Sequence, residues 1–175
     1  MAFDLTTNND DDDILATDEA GEPVNAASVL SALKEELKRE VQLPPITLAV
    51  PARPGMSIRF DANVNSGHIQ MWRKQSQNKS MADNFDSLKF SSLVIANKAE
   101  AVMFDGVEAR TDDGELLNFK NPELLTMLGT NRAVEAVRKL YGVDGHIFVA
   151  ADEVLKGAGY DAEGQEQQTD PTLLS

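Results

Sequence analysis

The chain has 175 residues, 42% of them hydrophobic, and no cysteine; this bounds it to one domain with a real core or two very small ones, without disulfides, thiolate metal sites or cysteine nucleophiles. The formal charge of −13 sits at the ends, since residues 1–25 carry eight acids (Asp4, Asp10 to Asp13, Asp18, Glu19, Glu22), residues 158–175 carry four (Asp161, Glu163, Glu166, Asp170), and neither stretch has a Lys or Arg. Between them all 16 bases meet 17 acids, so the concentrated positive field that phosphate binding needs is missing and no nucleic acid partner is expected.

Residues 1–25 are rich in Asp, Asn and Thr with scattered apolar residues, too few to offset the entropy of ordering the backbone, and are expected to be a disordered tail. Asn25 is a candidate N-cap for a helix in which Val29, Leu30, Leu33, Leu37 and Val41 recur at three- and four-residue spacing, with Lys34, Glu35, Lys38 and Arg39 on the other face. Pro44 and Pro45 end it. Ile46 to Val50 then suits a strand, Pro54-Gly55 a turn, and Met56 to Phe60 alternates with period two, so a hairpin is expected. From Ser66 a helix should bury Ile69 and Trp72. A second should cover roughly Asp83 to Lys98, although Ser91 to Ile95 also reads as strand, because periodicity alone cannot assign a short apolar run.

Ala101 to Phe104, Asp105-Gly106 and Val107 to Ala109 form a hairpin signal, since Asp-Gly supplies the positive φ angles of a tight turn. Asp113-Gly114 repeats the device before Leu116 to Phe119. Asn121-Pro122-Glu123 combines an N-cap, a first-turn proline and an acid at the positive end of a helix dipole. Leu124, Leu125 and Leu128 follow, and Gly129 stops the helix. Thr130 or Asn131 can cap the next, whose apolar face is Ala133, Val134, Val137 and Leu140, reaching Tyr141 before Gly142. After Asp144-Gly145 a last helix runs through Phe148, Ala151, Val154 and Leu155 to Gly157. The expected fold is α+β: a small antiparallel sheet of hairpins packed with a mostly helical C-terminal half (121–157), in a single domain over 26–157, with disordered acidic tails at 1–25 and 158–175.

The search for chemistry yields little. The Asp10 to Asp13 run lacks the alternating spacing and central glycine of a calcium loop and reads as solvated charge. Asp112-Asp113-Gly114-Glu115 is explained by its turn. His68 and His146, the only histidines, lie far apart in sequence with no ligand at metal spacing beside either, and no serine sits in a nucleophile elbow. The glycines 142, 145, 157 and 159 form no phosphate-cradling loop. No enzymatic activity, cofactor or metal is expected. Arg53, Arg59, Arg73, Lys74, Lys79, Lys89 and Lys98 outnumber the acids of residues 50–100, with Trp72 among them. A base-plus-aromatic surface binds single-stranded nucleic acid; the alternatives are Trp72 in the core with wet lysines, or a face that attracts the protein's own acidic tails. No apolar run approaches the roughly 20 residues of a membrane span. Met1-Ala2-Phe3-Asp4 lacks the basic, then apolar opening of a secretory signal, so a soluble protein with no membrane partner is expected.

Taken in order, Pro51-Ala52-Arg53-Pro54-Gly55, Ile58-Arg59-Phe60, Trp72-Arg73-Lys74, Phe85 to Phe90, Leu93 to Asn97, Leu124 to Gly129, Ala133 to Tyr141 and Ala158-Gly159-Tyr160 resemble the tail assembly chaperones of long-tailed bacteriophages, especially those of actinobacterial hosts. The likeness spans about residues 43–175 and rests on packing and turn residues. It implies a factor of the host cytoplasm, absent from the mature virion, that binds the tape measure protein and keeps it soluble until tail tube protein polymerises around it. It also implies a longer, frameshifted form of the same protein. A client of that kind, long, helical and aggregation-prone, needs an apolar groove on a very soluble holder. Leu125, Leu128, Val134, Val137 and Tyr141 are the candidate client contacts, unless they fill the protein's own core. Two other classes stand beside this one: a virion structural component such as a head-to-tail connector or minor tail protein, and a nucleic-acid-binding regulator. A homo-oligomer is compatible with all of them.

Overall fold

The computed structural model describes residues 26–78 and 84–161. The expected acidic tail at 1–25, the candidate cap Asn25 and the stretch 162–175 lie outside the described residues. The first helix, α1 (Ala26–Lys38), contains no glycine or proline, and its polar side carries the i,i+3 pairs Lys38–Glu35 and Arg39–Glu36. The prolines at 44 and 45 bar its continuation. α1 belongs to a unit covering Met1–Val41, distinct from a second unit over Gln42–Ser175. The division therefore falls between Val41 and Gln42, whereas the sequence suggested one domain from Ala26 onward.

The second unit is an α+β fold. Its strands β1 (Ile46–Ala49), β2 (Met56–Phe60), β3 (Ala99–Phe104) and β4 (Val107–Glu108) form an antiparallel sheet in the order β1-β2-β3-β4. Helices α2 (Ser66–Gln75) and α3 (Ser87–Lys98) are inserted between β2 and β3, while α4 (Pro122–Met127), α5 (Ala133–Tyr141) and α6 (Asp144–Gly157) follow the sheet. The period-two pattern of β2 sends Ile58 and Phe60 into the core and Arg59 to the other face. There Arg59 pairs with Glu100 of β3 at 3.1 Å and with Glu108 of β4, tying three strands together. The two hairpin turns also meet: the Asp105 N–H donates to the Gly55 carbonyl at 2.8 Å. Gly55 has φ +80°, a left-handed conformation that favours glycine.

The Asn65 side chain caps α2 by accepting the His68 N–H, and Ile69 and Trp72 are buried from it. α3 starts at Ser87, later than the expected Asp83, because Phe85 is held in an extended bridge with Gln77 and Asp86 accepts the Lys89 N–H as the N-cap. Ser91 to Ile95 is helical. Phe90, Ser91, Ser92, Val94, Ile95, Ala96 and Lys98 are all buried, since α3 packs against α2, α5 and α6 at once. A helix surrounded in this way has no single apolar stripe, and its sequence reads ambiguously for that reason.

The second Asp-Gly turn closes a short antiparallel pairing outside the four-stranded sheet: the Arg110–Leu116 bridge, with the Thr111 N–H donating to the Glu115 carbonyl. Bonds of Leu117 to Val102 and Ala109 anchor the segment after it, in which Leu117 and Phe119 are buried. Asn121 caps α4 as expected, through the Glu123 N–H at 3.0 Å. At α5 the N-cap position is Arg132, without a side-chain cap of its own. The Thr130 hydroxyl accepts the Arg132 N–H and donates to Glu135. Gly142, left-handed at φ 70°, ends α5. Arg53, from the turn between β1 and β2, donates to the Leu140 and Lys139 carbonyls at the negative end of that helix. One core gathers Ile58 and Phe60 of the sheet with Trp72, Phe90, Ile95, Val137, Tyr141, Ile147 and Leu155 of the helices. Tyr160 is buried in it and Ala158 packs against it, so the folded body extends past Gly157, into a stretch assigned to the tail from sequence.

Candidate protein-binding surfaces

The five candidate client contacts separate into two groups. Val137 and Tyr141 are 0% exposed, inside the core formed by α3, α5 and α6. No partner reaches them without unfolding the protein. Leu125, Leu128 and Val134 are half-buried, the two leucines packed against that core. Val134 also lines a cleft. The apolar faces of α5 and α6 are thus spent mainly on α3 and on each other.

Among the described residues the Tyr141 hydroxyl has no hydrogen-bond partner, and burial pushes its pKa up. A buried, unpaired hydroxyl costs about 1–3 kcal/mol. Tyr141→Phe should therefore leave the protein as stable or raise its stability by about 1 kcal/mol, read as a rise in thermal midpoint; a loss would reveal a partner for this hydroxyl.

Among the described residues the largest run of exposed apolar side chains lies on α1. Val29, Leu30, Leu33 and Leu37 are 51%, 52%, 50% and 76% exposed, and no residue of the helix is buried. They occupy one stripe by their spacing. An isolated helix of 13 residues is marginal in water, and a ligand lying along this stripe would stabilise it.

Three of the seven bases between residues 53 and 98 are engaged within the fold. Arg53 caps α5, and Arg59 is paired across the sheet. Lys98, its side chain 8% exposed, reaches Asp61 at 2.6 Å and the Asn63 carbonyl at 2.8 Å. Trp72 is in the core, stacked on His68 at 5.6 Å. Among the described residues neither histidine's Nδ1 has a hydrogen-bond partner, so no acid orients either imidazole through that nitrogen. Among the described residues no three His, Asp or Glu side chains are grouped to hold a metal ion, and no helix is long and apolar enough to cross a membrane.

A cleft of about 590 Å3 opens where the start of α3 meets α5. Lys89, Arg132 and Arg138 stand around Leu88, Ala133 and Val134, with Asp86 and Glu135 at its edge. In comparisons with known proteins, no family model, characterised protein or solved structure matches this chain.

Proposed function

We propose that this protein is a tail assembly chaperone of a long-tailed bacteriophage, which binds the tape measure protein and keeps it soluble while tail tube protein assembles around it. On this reading it acts in the host cytoplasm and is absent from the mature virion. The observation that supports it is α1, a short amphipathic helix whose Val29, Leu30, Leu33 and Leu37 stripe is uncovered. An amphipathic client segment laid against this stripe would bury apolar surface on both partners, the helix-in-groove mode of recognition. The acidic composition of residues 1–25, next to that stripe in the chain, favours solubility of the loaded complex.

Leu30→Asp combined with Leu33→Asp tests the reading. If the pair contributes about 3 kcal/mol to the interface, association with the tape measure protein weakens roughly 100-fold. Co-expressed client should then pass into the pellet, while the melting of residues 42–161 stays unchanged. Client that remains soluble with the double variant would sink the proposal, as would a fixed copy number of this chain in purified virions.

A further inference from the structure

The cleft between α3 and α5 has more positive charge than the fold uses. Lys89, from the first turn of α3, and Arg132 and Arg138, from the start and middle of α5, line it and are exposed. Lys89 and Arg132 form no ion pair among the described residues, and Arg138 faces Asp144 at 3.7 Å with both side chains more than half exposed, a contact worth little. The two acids of the cleft are already engaged. Asp86 accepts the Lys89 N–H at 2.9 Å as the cap of α3, while Glu135 accepts the Thr130 hydroxyl at 2.9 Å and pairs with Lys139 at 3.5 Å. Leu88, Ala133 and Val134 are half-buried and give the cleft an apolar floor. Each of them lies close to a base, Leu88 beside Lys89, Ala133 beside Arg132, and Val134 one helical turn before Arg138.

We propose that this cleft docks an acidic peptide segment of another polypeptide, one that carries carboxylates next to apolar side chains. Charge complementarity sets the sign of the occupant. Three cations with little to pair with attract carboxylates, and the two guanidinium forks can each hold one through two hydrogen bonds. The floor sets its kind. A small inorganic anion would satisfy the cations and leave Leu88, Ala133 and Val134 wet, whereas a peptide with apolar residues among its acids covers both. Single-stranded nucleic acid supplies charge but binds through aromatic rings that stack its bases, and no aromatic side chain lines the cleft. Asp86 and Glu135 at the edge would also repel a continuous phosphate backbone, while a peptide can place its carboxylates away from them. The volume of about 590 Å3 falls among ordinary ligand pockets, about 300–1,000 Å3, and suits a short segment rather than a folded surface. The site belongs to the second unit and would serve its partner whether or not α1 holds a client.

The test uses the full chain and a synthetic peptide of about ten residues, blocked at both ends, in which glutamates flank two leucines and serines fill the rest. Titrated at low salt, it should move the amide resonances of Lys89, Arg132 and Val134, and the shifts should shrink near 1 M salt, where screening acts within about 3 Å. Lys89→Glu with Arg132→Glu should weaken binding at least roughly ten-fold without lowering the melting temperature, since both side chains are exposed. A probe with lysines in place of its glutamates should fail to bind the parent and should bind that double variant. Serines in place of the leucines should cost the parent roughly ten-fold, a loss that bare charge attraction would not produce. Resonances that stay in place on titration would overturn the proposal, as would binding that survives the double charge reversal. Three further results would give the cleft to a different occupant and overturn it equally: the same shifts with inorganic phosphate, tighter binding of a thymidine oligonucleotide, or resonances that answer to salt in the protein alone and not to the probe, the mark of acids from this chain filling the site.

Discussion

Val137→Asp is expected to unfold residues 42–161 rather than to weaken client binding selectively. Val137 has no exposed surface and lies in the core shared by α3, α5 and α6. The substitution gives up roughly 1.5–3 kcal/mol of apolar burial and places a carboxylate where nothing pairs with it, at a further cost of several kcal/mol. A total near 5 kcal/mol is comparable with the whole stability of an ordinary domain, and it corresponds to a fall in melting temperature of about 15–30 °C. Val134→Asp, three residues earlier at the edge of the cleft and half-buried, should shift the midpoint far less. Thermal melts of the two variants settle the matter. Were Val137→Asp to melt within a few degrees of the parent and yet lose the client, α5 would be the working surface and α1 would not.

The same contrast explains what the sequence could and could not reveal. α1 and α5 carry the same kind of apolar spacing, at Val29, Leu30, Leu33 and Leu37 in one and at Ala133, Val134, Val137 and Leu140 in the other. Periodicity states that a face will be covered, not by what. In α5 the cover is α3 and α6, brought there by residues distant in sequence, and in α1 none of the stripe is buried. Local chemistry was more legible. Asp105 at φ 49° and Gly106 at φ 79° make the tight turn that Asp-Gly suggests, and Asn121 caps the helix that Pro122 opens. Asp113-Gly114 carries the same signal and turns the chain, with Gly114 at φ 84°, but the segments it joins meet in the single Arg110–Leu116 bridge and not in full strands, and Leu117 is held by Val102 and Ala109. The partners of the bases were hidden for a related reason. Arg53 and Arg59 read as surface charge, yet their partners, the carbonyls of α5 and the acids of β3 and β4, stand 41 to 87 residues away. The cleft at α3 and α5 was invisible on the same ground, since Lys89 and Arg132 belong to separate segments that only the packed fold brings together.

Removing Asp61 should be the most damaging single change to a charged side chain. Lys98 is 8% exposed at the end of α3 and directs its ammonium at Asp61 Oδ2 and the Asn63 carbonyl. In Asp61→Ala the ammonium keeps one neutral acceptor and no counter-charge. Loss of one partner of a buried pair costs about 3–5 kcal/mol; Asp61 is 31% exposed, so water offsets part of this and about 2–3 kcal/mol is expected. Asp61→Leu with Lys98→Met should recover most of that loss, because two apolar side chains leave no charge to solvate. Acid should reproduce the single substitution. Burial pushes the Asp61 carboxyl up, but the hydrogen bonds from Lys98 and Asn63 outweigh it and hold the group below its ordinary range. The unfolded chain therefore takes up this proton first, near pH 3.9, and between that point and the lower folded value it binds more protons than the native state. Stability from the pair is complete above about pH 5 and is lost as pH falls through the folded pKa. Glu108 and Glu135, both held low, shift in the same direction. Melting temperatures of parent and Asp61→Ala should differ most near neutrality and converge toward pH 2–3. A gap that stayed constant across that range would mean that Asp61 serves the fold through its shape or its bonds to Asn63, not through its charge on Lys98.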